Sequence, residues 1–489
     1  MSILMDNLTK DEYRTLLLAA LPTAADADTL RPESHTLFTP GTHRNALDPD
    51  VTVVRGARGV GKTVWYTALQ NAQLREVAAE NYQISRLRSI DSIAGYGSEL
   101  RPDDYPGPST LAHLIKGGAT PEEIWTGVVL LGLGVDQLRK MSSWQYRVDW
   151  VRENPEERDV VLARADRETG NSGQVKLILF DALDRLSPDR ITTERLIEGI
   201  LKVALDLRTR TRNLRAKIFI RHDMFNGIRM QFPDSSKLTA NAADLTWSGA
   251  NLYGLLFHHL GNAKDELSRN FRQVVPGWHE AAGRSIPPSD VVGDSKRQQQ
   301  IFEVIAGSYM GTDHRKGRPY TWLANHLIDG IGQVSPRSFL TALRKATEVT
   351  SERFARHEFA LHWDGIREGV QSASSIRVAE VNEDLPWVAT AVGPLEGLQV
   401  PMDEEVLVSR WNEADLSHQL ENTWGTQEFV NEKDVRTGPR NVDDYHGLAA
   451  ELIELGVMSR RVDGRVDLPD VYRIAFKIGR KGGVPRLRS

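Results

Sequence analysis

The sequence predicts an α/β fold, with a parallel sheet and helices on both faces, followed by an all-α segment and a small mixed module. Three observations predict it. Val51–Val54 is a β-branched run leading into the glycine-rich stretch Gly56–Gly61, and residues 64–75 after it read as a helix. Val175–Phe180 is a nearly continuous apolar run, the signature of a strand buried on both faces, and Lys217–Ile220 repeats it. From about Asp244 the periodicity turns helical, with Leu252, Leu255, Leu256 and Leu260 on one stripe.

Composition sets the outer bounds. A chain of 489 residues has room for two to four domains, and 40% hydrophobic with 26% charged residues is ordinary for a globular protein. It has no cysteine, which removes disulfides, thiolate nucleophiles and cysteine zinc sites and suits a reducing compartment. The first residues are acidic and amphipathic, unlike a secretory leader, and the longest apolar run, Val128–Val135, is too short to span a bilayer. A cytoplasmic protein without a membrane partner is expected.

Residues 1–35 hold one helix, Lys10–Ala20, and form an N-terminal helical segment. Phe38, His43 and Arg44 precede the first strand, where base-side residues can stand; packing is the plainer reading for them. The loop Gly56-Ala57-Arg58-Gly59-Val60-Gly61-Lys62-Thr63 matches G-x-x-x-x-G-K-[ST] between a strand and a helix. Glycines at these positions let backbone N–H groups turn inward around phosphate oxygens, and the helix N-terminus adds positive potential. Gly56 to Val64 are therefore read as the nucleotide cradle. Lys62 reaches the β- and γ-phosphates, and the Thr63 hydroxyl ligates Mg²⁺.

Further along, residues 82–90 read as a strand and 91–118 as loop. A helix is expected over 121–134 with Thr120 as N-cap, and another over 144–167. Val175–Phe180 ends in Asp181, placed where α/β sheets hold ligands, and Asp184 follows three residues later. Asp181 suits a metal-side carboxylate and Asp184 a catalytic one. A helix over 192–207 leads to Arg208, Arg210, Arg212 and Arg215, read as a solvated helix end or as a source of an arginine finger. Arg221, at the end of the next strand, is placed to sense a γ-phosphate, with Asp223 beside it.

In the helical segment His258 and His259 are adjacent, which is not metal-ligand spacing on a helix. Ser335-Pro336-Arg337 starts a helix with a cap, a proline at its first position and an arginine able to act on the nucleotide. Residues 371–400, interrupted by Ser, Gly and Pro, read as a linker. Beyond it, 401–456 carries thirteen acidic against four basic residues, whereas 460–489 carries nine basic against three acidic. Helices near 404–411 and 443–455, then a hairpin around Asp463-Gly464, suggest a winged helix. Arg460, Arg461 and Arg465 stand on its wing, with Arg480, Lys481, Arg486 and Arg488 after it, and offer phosphate contacts to a nucleic acid or a face to a protein partner. The domain boundaries so read are 1–35, 36–235 for the phosphate-binding core, 236–370 for the helical lid, 371–400 for the linker and 401–489 for the winged-helix-like domain.

The motifs GARGVGKT (Gly56–Thr63), LILFDALDR (Leu177–Arg185), KIFIRHD (Lys217–Asp223) and SPRSF (Ser335–Phe339) together resemble P-loop ATPases of the additional-strand class, in particular bacterial AAA-like, STAND and KAP-like NTPases. The resemblance covers about residues 36–350. It implies a Walker A motif, a Walker B motif at Asp181, a sensor strand with Arg221, a second sensor at Arg337, a helical lid and a terminal winged helix, an order similar to that of STAND switches and origin-recognition initiators. It also implies ATP and Mg²⁺ as cofactors, a homo-oligomer or an effector partner, and a role in bacterial conflict or phage defence. One departure bears on chemistry. Related enzymes place a carboxylate directly after the Walker B aspartate, and here that position is Ala182, leaving Asp184 as the nearest substitute. Slow hydrolysis and a switch are therefore expected rather than a fast motor. An ATP-dependent DNA-binding protein and a non-hydrolysing ATP-bound scaffold are the alternatives. GTP is disfavoured, since no N-K-x-D motif follows and Asn431–Asp434 has the wrong order.

Overall fold

Five parallel strands form the centre of one half of the protein, in a computed structural model that describes residues 8–23, 31–228, 230–281, 283–424, 438–440, 442–484 and 486–487. The chain divides into two compact units, one made of Gly41–Thr246 and the other of Met1–Pro40 with Trp247–Ser489.

In the first unit the strands are β1 (Val53–Arg55), β2 (Ile90–Tyr96), β3 (Val175–Phe180), β4 (Leu214–Ile220) and β5 (Ala242–Asp244), in spatial order β2-β3-β4-β1-β5. Strand β4 thus lies between β1, which feeds the glycine loop, and β3, which ends in Asp181. That interposed strand defines the additional-strand arrangement, and the topology is that of an AAA-like P-loop fold. All four pairings are parallel, with Val54 opposite Phe219 and Phe180 opposite Ile218. Their carboxyl ends therefore share one edge, the edge at which open α/β sheets bind ligands. Helices Pro121–Gly132 and Arg190–Arg210 are anchored to each other by Trp125, whose indole N–H donates to the Leu196 carbonyl at 2.9 Å while its ring meets Phe180 edge-on. A fully buried aromatic of this kind contributes roughly 2–3 kcal/mol through apolar burial.

At the opposite edge of the sheet, Lys217 is wholly buried in β4 and donates to the carbonyls of Ala46, Asp48 and Val51 at 2.7–2.9 Å. One ammonium group so satisfies three acceptors of the irregular segment that leads into β1. Asp50 beside it receives Arg86 and Arg215, which closes that edge with charge-assisted bonds.

Several sequence expectations are corrected. The strand expected over 82–90 begins only at Ile90. Before it the helix Ala72–Tyr82 ends at Gln83 in a left-handed conformation, and a short turn covers Ser85–Leu87. Residues 91–118 are not one loop, for they hold most of β2 and the helix Pro108–Lys116. Small residues in β2 hid the strand, and Gly95 is required there because a side chain would strike the Phe180 ring. The helix expected over 144–167 is two, Trp144–Glu153 and Pro155–Asn171, because Pro155 cannot donate and starts a new helix. The helix after the loop likewise splits at Asn71, whose side chain caps the second segment. Strand β5 lies beyond residue 235, where the core was expected to end; three residues, Ala-Ala-Asp, are too short a signal to read.

The second unit is mostly helical. Its N-terminal helix, Lys10–Ala20, starts with a Thr9/Glu12 capping box, and Arg14 donates to the carbonyls of Ala355, Phe359 and Ala360. Helices Pro336–Arg353 and Trp363–Asp384 pack along their lengths. The second of these runs through the start of the expected linker 371–400, and Trp387–Val392 is helical as well. Ser374, a small residue that read as interruption, is fully buried instead, and just before that stretch a side chain at Gly369 would run into the Ala342 carbonyl.

The C-terminal part contains helices Glu404–Glu413, Leu416–Trp424 and Tyr445–Glu454, then the antiparallel pair Ser459–Arg460 and Val466–Asp467. Met402 bridges to Val466, so three extended segments lie side by side, as in a winged helix. Among the described residues no helix is long and apolar enough to cross a membrane.

Candidate nucleotide site

The glycine loop turns where its sequence requires. Gly59 and Gly61 have φ of 78° and 102°, a region that residues with side chains rarely enter, and Gly61 hands the chain to the helix Lys62–Gln70. A side chain at Gly56 would meet Val60, so that glycine keeps the loop tight. Lys62 Nζ folds over the loop and donates to the carbonyls of Gly56 and Ala57 at 3.0 and 2.8 Å. Burial lowers its pKa to about 8, against the pull of Asp181, which favours the charged form.

Thr63 Oγ1 donates to Asp181 Oδ2 at 2.8 Å. Asp181 is 3% exposed, and burial raises its pKa while Thr63 and Lys62 hold it down. A hydroxyl and a buried carboxylate on facing elements, with an ammonium behind them, are hard oxygen donors of the kind Mg²⁺ takes together with phosphate oxygens. The residues present therefore fit an Mg²⁺-nucleotide: Thr63 and Asp181 on the metal side, Gly56–Lys62 around the phosphates. Val64 is partly exposed beside the loop, and Arg58 lies on it.

Ala182 follows Asp181 in a left-handed conformation, φ 55°. Asp184 sits in the short turn Leu183–Arg185 and is exposed. Arg221 caps the helix His222–Gly227 and forms a two-pronged pair with Asp223, both bonds 3.0 Å. Burial pushes Asp223 up, but Arg221 outweighs it and the carboxyl is held below the usual range. A second pair at the same edge, Arg55 with Asp244 at 2.8 and 3.1 Å, has His222 Nδ1 3.8 Å from Asp244. The sequence named Arg221 but gave Asp223 and Asp244 no task. Their signal was position alone, each at the carboxyl end of a core strand.

Other candidates fall elsewhere. His43 is fully buried, accepts from Trp65 Nε1 at 2.9 Å and lies 3.1 Å from the Thr246 carbonyl; Arg44 donates to the Tyr82 carbonyl. Phe38 stacks on Trp247 in the other unit. These three serve packing. In the arginine run, Arg208 bonds the Asp50 carbonyl, Arg210 pairs with Asp159 and Arg215, at the start of β4, with Asp50, all towards the edge opposite the glycine loop. Arg337 belongs to the helical unit and pairs with Glu380 at 2.8 Å. On the wing, Arg460 pairs with Glu404, Arg461 with Asp467 and Arg465 with Asp463. Asn431–Asp434 and Arg488 lie outside the described residues.

No family model matches the chain, and no curated protein matches it. Among solved structures it is similar to the Aeropyrum pernix ORC2 protein in ADPNP–ADP complexes, with a TM-score of 0.40 and 13% identity over 87% of this chain and 86% of that one. It is similar to the Aeropyrum pernix ORC1 protein in complex with DNA, with a TM-score of 0.32 and 15% identity over 97% and 92% of the two chains. Similarity to Cdc6p from Pyrobaculum aerophilum has a TM-score of 0.29 and 11% identity over 86% and 84%. Likeness of this size leaves function to be read from the chain's own topology and site.

Proposed function

We propose that this protein is an ATP-binding, slowly ATP-hydrolysing regulatory switch whose nucleotide state controls assembly or the recruitment of a partner. The observation that carries the reading is the Thr63–Asp181 hydrogen bond at the shared carboxyl edge of the sheet, with Lys62 behind it. In that reading the loop amides and Lys62 bind the β- and γ-phosphates, and Thr63 and Asp181 hold Mg²⁺. The metal supplies neutralisation of phosphate charge when bound. Arg221 is proposed as a γ-phosphate sensor and Arg337 as a second nucleotide-sensing arginine. Ala182 supports slow turnover, because the position that would orient a water has no carboxylate. Adenine is favoured over guanine on the sequence ground already given. A STAND or KAP-like branch and a role in phage defence are carried by the motif resemblance alone.

Between the outputs, assembly or a protein partner is favoured over DNA. The helix Tyr445–Glu454 takes the position of a winged helix's reading helix, yet it carries Glu451 and Glu454 and no lysine or arginine. The three wing arginines are each paired with a carboxylate of the same chain. Phosphate binding needs cations that can release counterions, and paired cations contribute less.

Particle size with and without ATP·Mg²⁺, for wild type and Lys62→Ala in parallel, tests the proposal. A size change confined to wild type with ATP supports nucleotide-driven assembly. Tight ATP retention with no turnover in wild type would instead establish the scaffold alternative, and salt-sensitive DNA retention lost on removing 460–489 the DNA-binding one.

A further inference from the structure

In the helical unit, the helix Ser295–Ala306 ends at Gly307, and Pro319 opens the next helix, Pro319–His326. The connection ends in His314-Arg315-Lys316-Gly317-Arg318, three cations and a histidine within five positions. We infer that this loop, rather than the wing, is a contact surface for single-stranded nucleic acid.

Its own bonds hold the loop out. The Met310 N–H donates to the Gly317 carbonyl at 2.8 Å and closes the neck. Gly317 has a φ of 85°, a conformation that a side chain would resist. Asp313 Oδ1 accepts the Arg315 N–H at 2.8 Å, so the one carboxylate of the loop is turned onto its backbone. The Lys316 stem lies over Gly311, where a Cβ would come within 3.0 Å of it, while the residue as a whole stays exposed.

Pairing separates this loop from the wing. There, Arg460, Arg461 and Arg465 each meet a carboxylate at 2.6–2.8 Å. Here His314, Arg315 and Lys316 are exposed, and none of the described residues offers their side chains a hydrogen bond or an ion pair. Arg318 approaches Glu303 only to 3.6 Å. Arg367 donates to the Met310 carbonyl at 3.4 Å and is itself held by Asp364. Cations without a carboxylate keep their counterions in solution and release them when phosphates arrive, a main source of affinity for a nucleic-acid backbone.

Aromatic rings favour a single strand. Tyr309, beside the neck, is 38% exposed. Trp322 stands next to Gly317 and stacks on His326, with ring centroids 3.8 Å apart. Bases in a duplex are stacked on one another and present no face to such rings, whereas those of a single strand do. An acidic polypeptide would use the cations and leave the rings without a role. Nothing in this surface depends on ATP, so it stands or falls apart from the switch proposed above.

The test uses the full chain without nucleotide, as wild type, Arg315→Ser/Lys316→Ser, Tyr309→Leu and a wing control, Arg460→Ser/Arg465→Ser. Fluorescence anisotropy over a series of salt concentrations reads binding of oligothymidylate and oligouridylate. Strands of about 20 nucleotides exceed the roughly 4–16 that single-strand sites cover. A duplex of the same length and poly-glutamate serve as comparisons, and circular dichroism checks that each variant is folded. Wild type is expected to bind a single strand, and the DNA and RNA arms show which sugar it prefers. Losing two phosphate contacts should weaken binding by about tenfold or more and lower the slope of log affinity against log salt by about 1.4. Tyr309→Leu should weaken binding about tenfold with the slope unchanged, since a stacked base is lost and no charge. It carries the test if the loop variant does not fold. The wing control should match wild type. No binding by wild type, undiminished binding by the loop variant, or an equal loss in the wing control overturns the inference. So does a duplex or poly-glutamate bound as tightly as the single strand. None of these failures touches ATP binding, which is read by its own titration.

Discussion

The Thr63 hydroxyl reaches Asp181 over 2.8 Å, joining the helix after β1 to the end of β3 across the intervening β4. Two distant stretches of sequence thus meet at a single hydrogen bond, in the place where a metal would accept both oxygens. Because Asp181 is buried, this contact and Lys62 are what keep its charge tolerable inside the fold.

Removal of the metal-side carboxylate should therefore separate nucleotide binding from metal dependence. In wild type, Mg²⁺ is expected to strengthen ATP binding by about tenfold or more, equivalent to roughly 1.4 kcal/mol. In Asp181→Ala that enhancement should vanish while some metal-free binding remains. Titration of ATP with Mg²⁺ and with a chelator checks it, and an undiminished metal effect in the variant contradicts the assignment.

Lys217→Met should destabilise the sheet unit although it lies far from the nucleotide edge. Three carbonyls would lose their donor, at about 1–3 kcal/mol each for a buried unsatisfied group. A loss of at least about 3 kcal/mol corresponds to a melting temperature lower by roughly 6–12 °C for a domain of this size. Thermal denaturation followed by circular dichroism measures it.

How far the sequence could be read depended on the length of each signal. The glycine loop, Val175–Phe180 with Asp181 and Lys217–Ile220 with Arg221 were legible because apolar runs of four to six residues end in the chemistry they position. Strand β2 was not, since Asp91 pairs with Lys176 and Gly95 makes room for the Phe180 ring, and with Ser92 they break the hydrophobic pattern. The helix through 371–384 was missed for the same reason, its small residues serving contacts: Ser374 is fully buried and its hydroxyl accepts the Ala475 N–H. Ion pairing was hidden altogether. The wing looked basic in sequence because Glu404, Asp463 and Asp467, which neutralise it, are scattered over sixty-four positions.

Arg480 illustrates that last point and makes a prediction. It pairs with Asp470 at 2.8 Å and with Asp467 at 3.1 Å, and both carboxylates are at most 2% exposed. Arg480→Ala should cost about 3 kcal/mol, because it strips a partner from two buried charges. Chemical denaturation checks it. If Arg480 served a nucleic acid instead, the variant would keep full stability and lose salt-dependent DNA retention.

Asp329 should give the helical unit a measurable pH dependence. It is buried beside Arg377 ahead of the helix Pro336–Arg353, and its carboxylate accepts N–H groups of Ile331 and Gln333. Burial pushes its pKa up to about 6, against Arg377 and those backbone donors. Unfolded aspartate titrates near pH 3.9. The protonated form is thus favoured by folding, and this contribution is fully present below about pH 4 and lost as pH rises through 6. Asp329→Asn keeps the acceptor oxygen and cannot ionise. The melting temperature of the variant relative to wild type should rise between pH 4 and pH 6 and level off above 7. A difference that stays flat across that window contradicts the assignment.

Binding of ATP·Mg²⁺ to wild type and to Lys62→Ala, measured side by side by calorimetric titration, tests the nucleotide-switch reading most directly. Saturable binding at one site per chain in wild type, weakened at least about 100-fold in Lys62→Ala, is the predicted result, since the variant loses a charge-assisted contact worth a few kcal/mol. Equal affinity in the two proteins, or no binding in either, would contradict it.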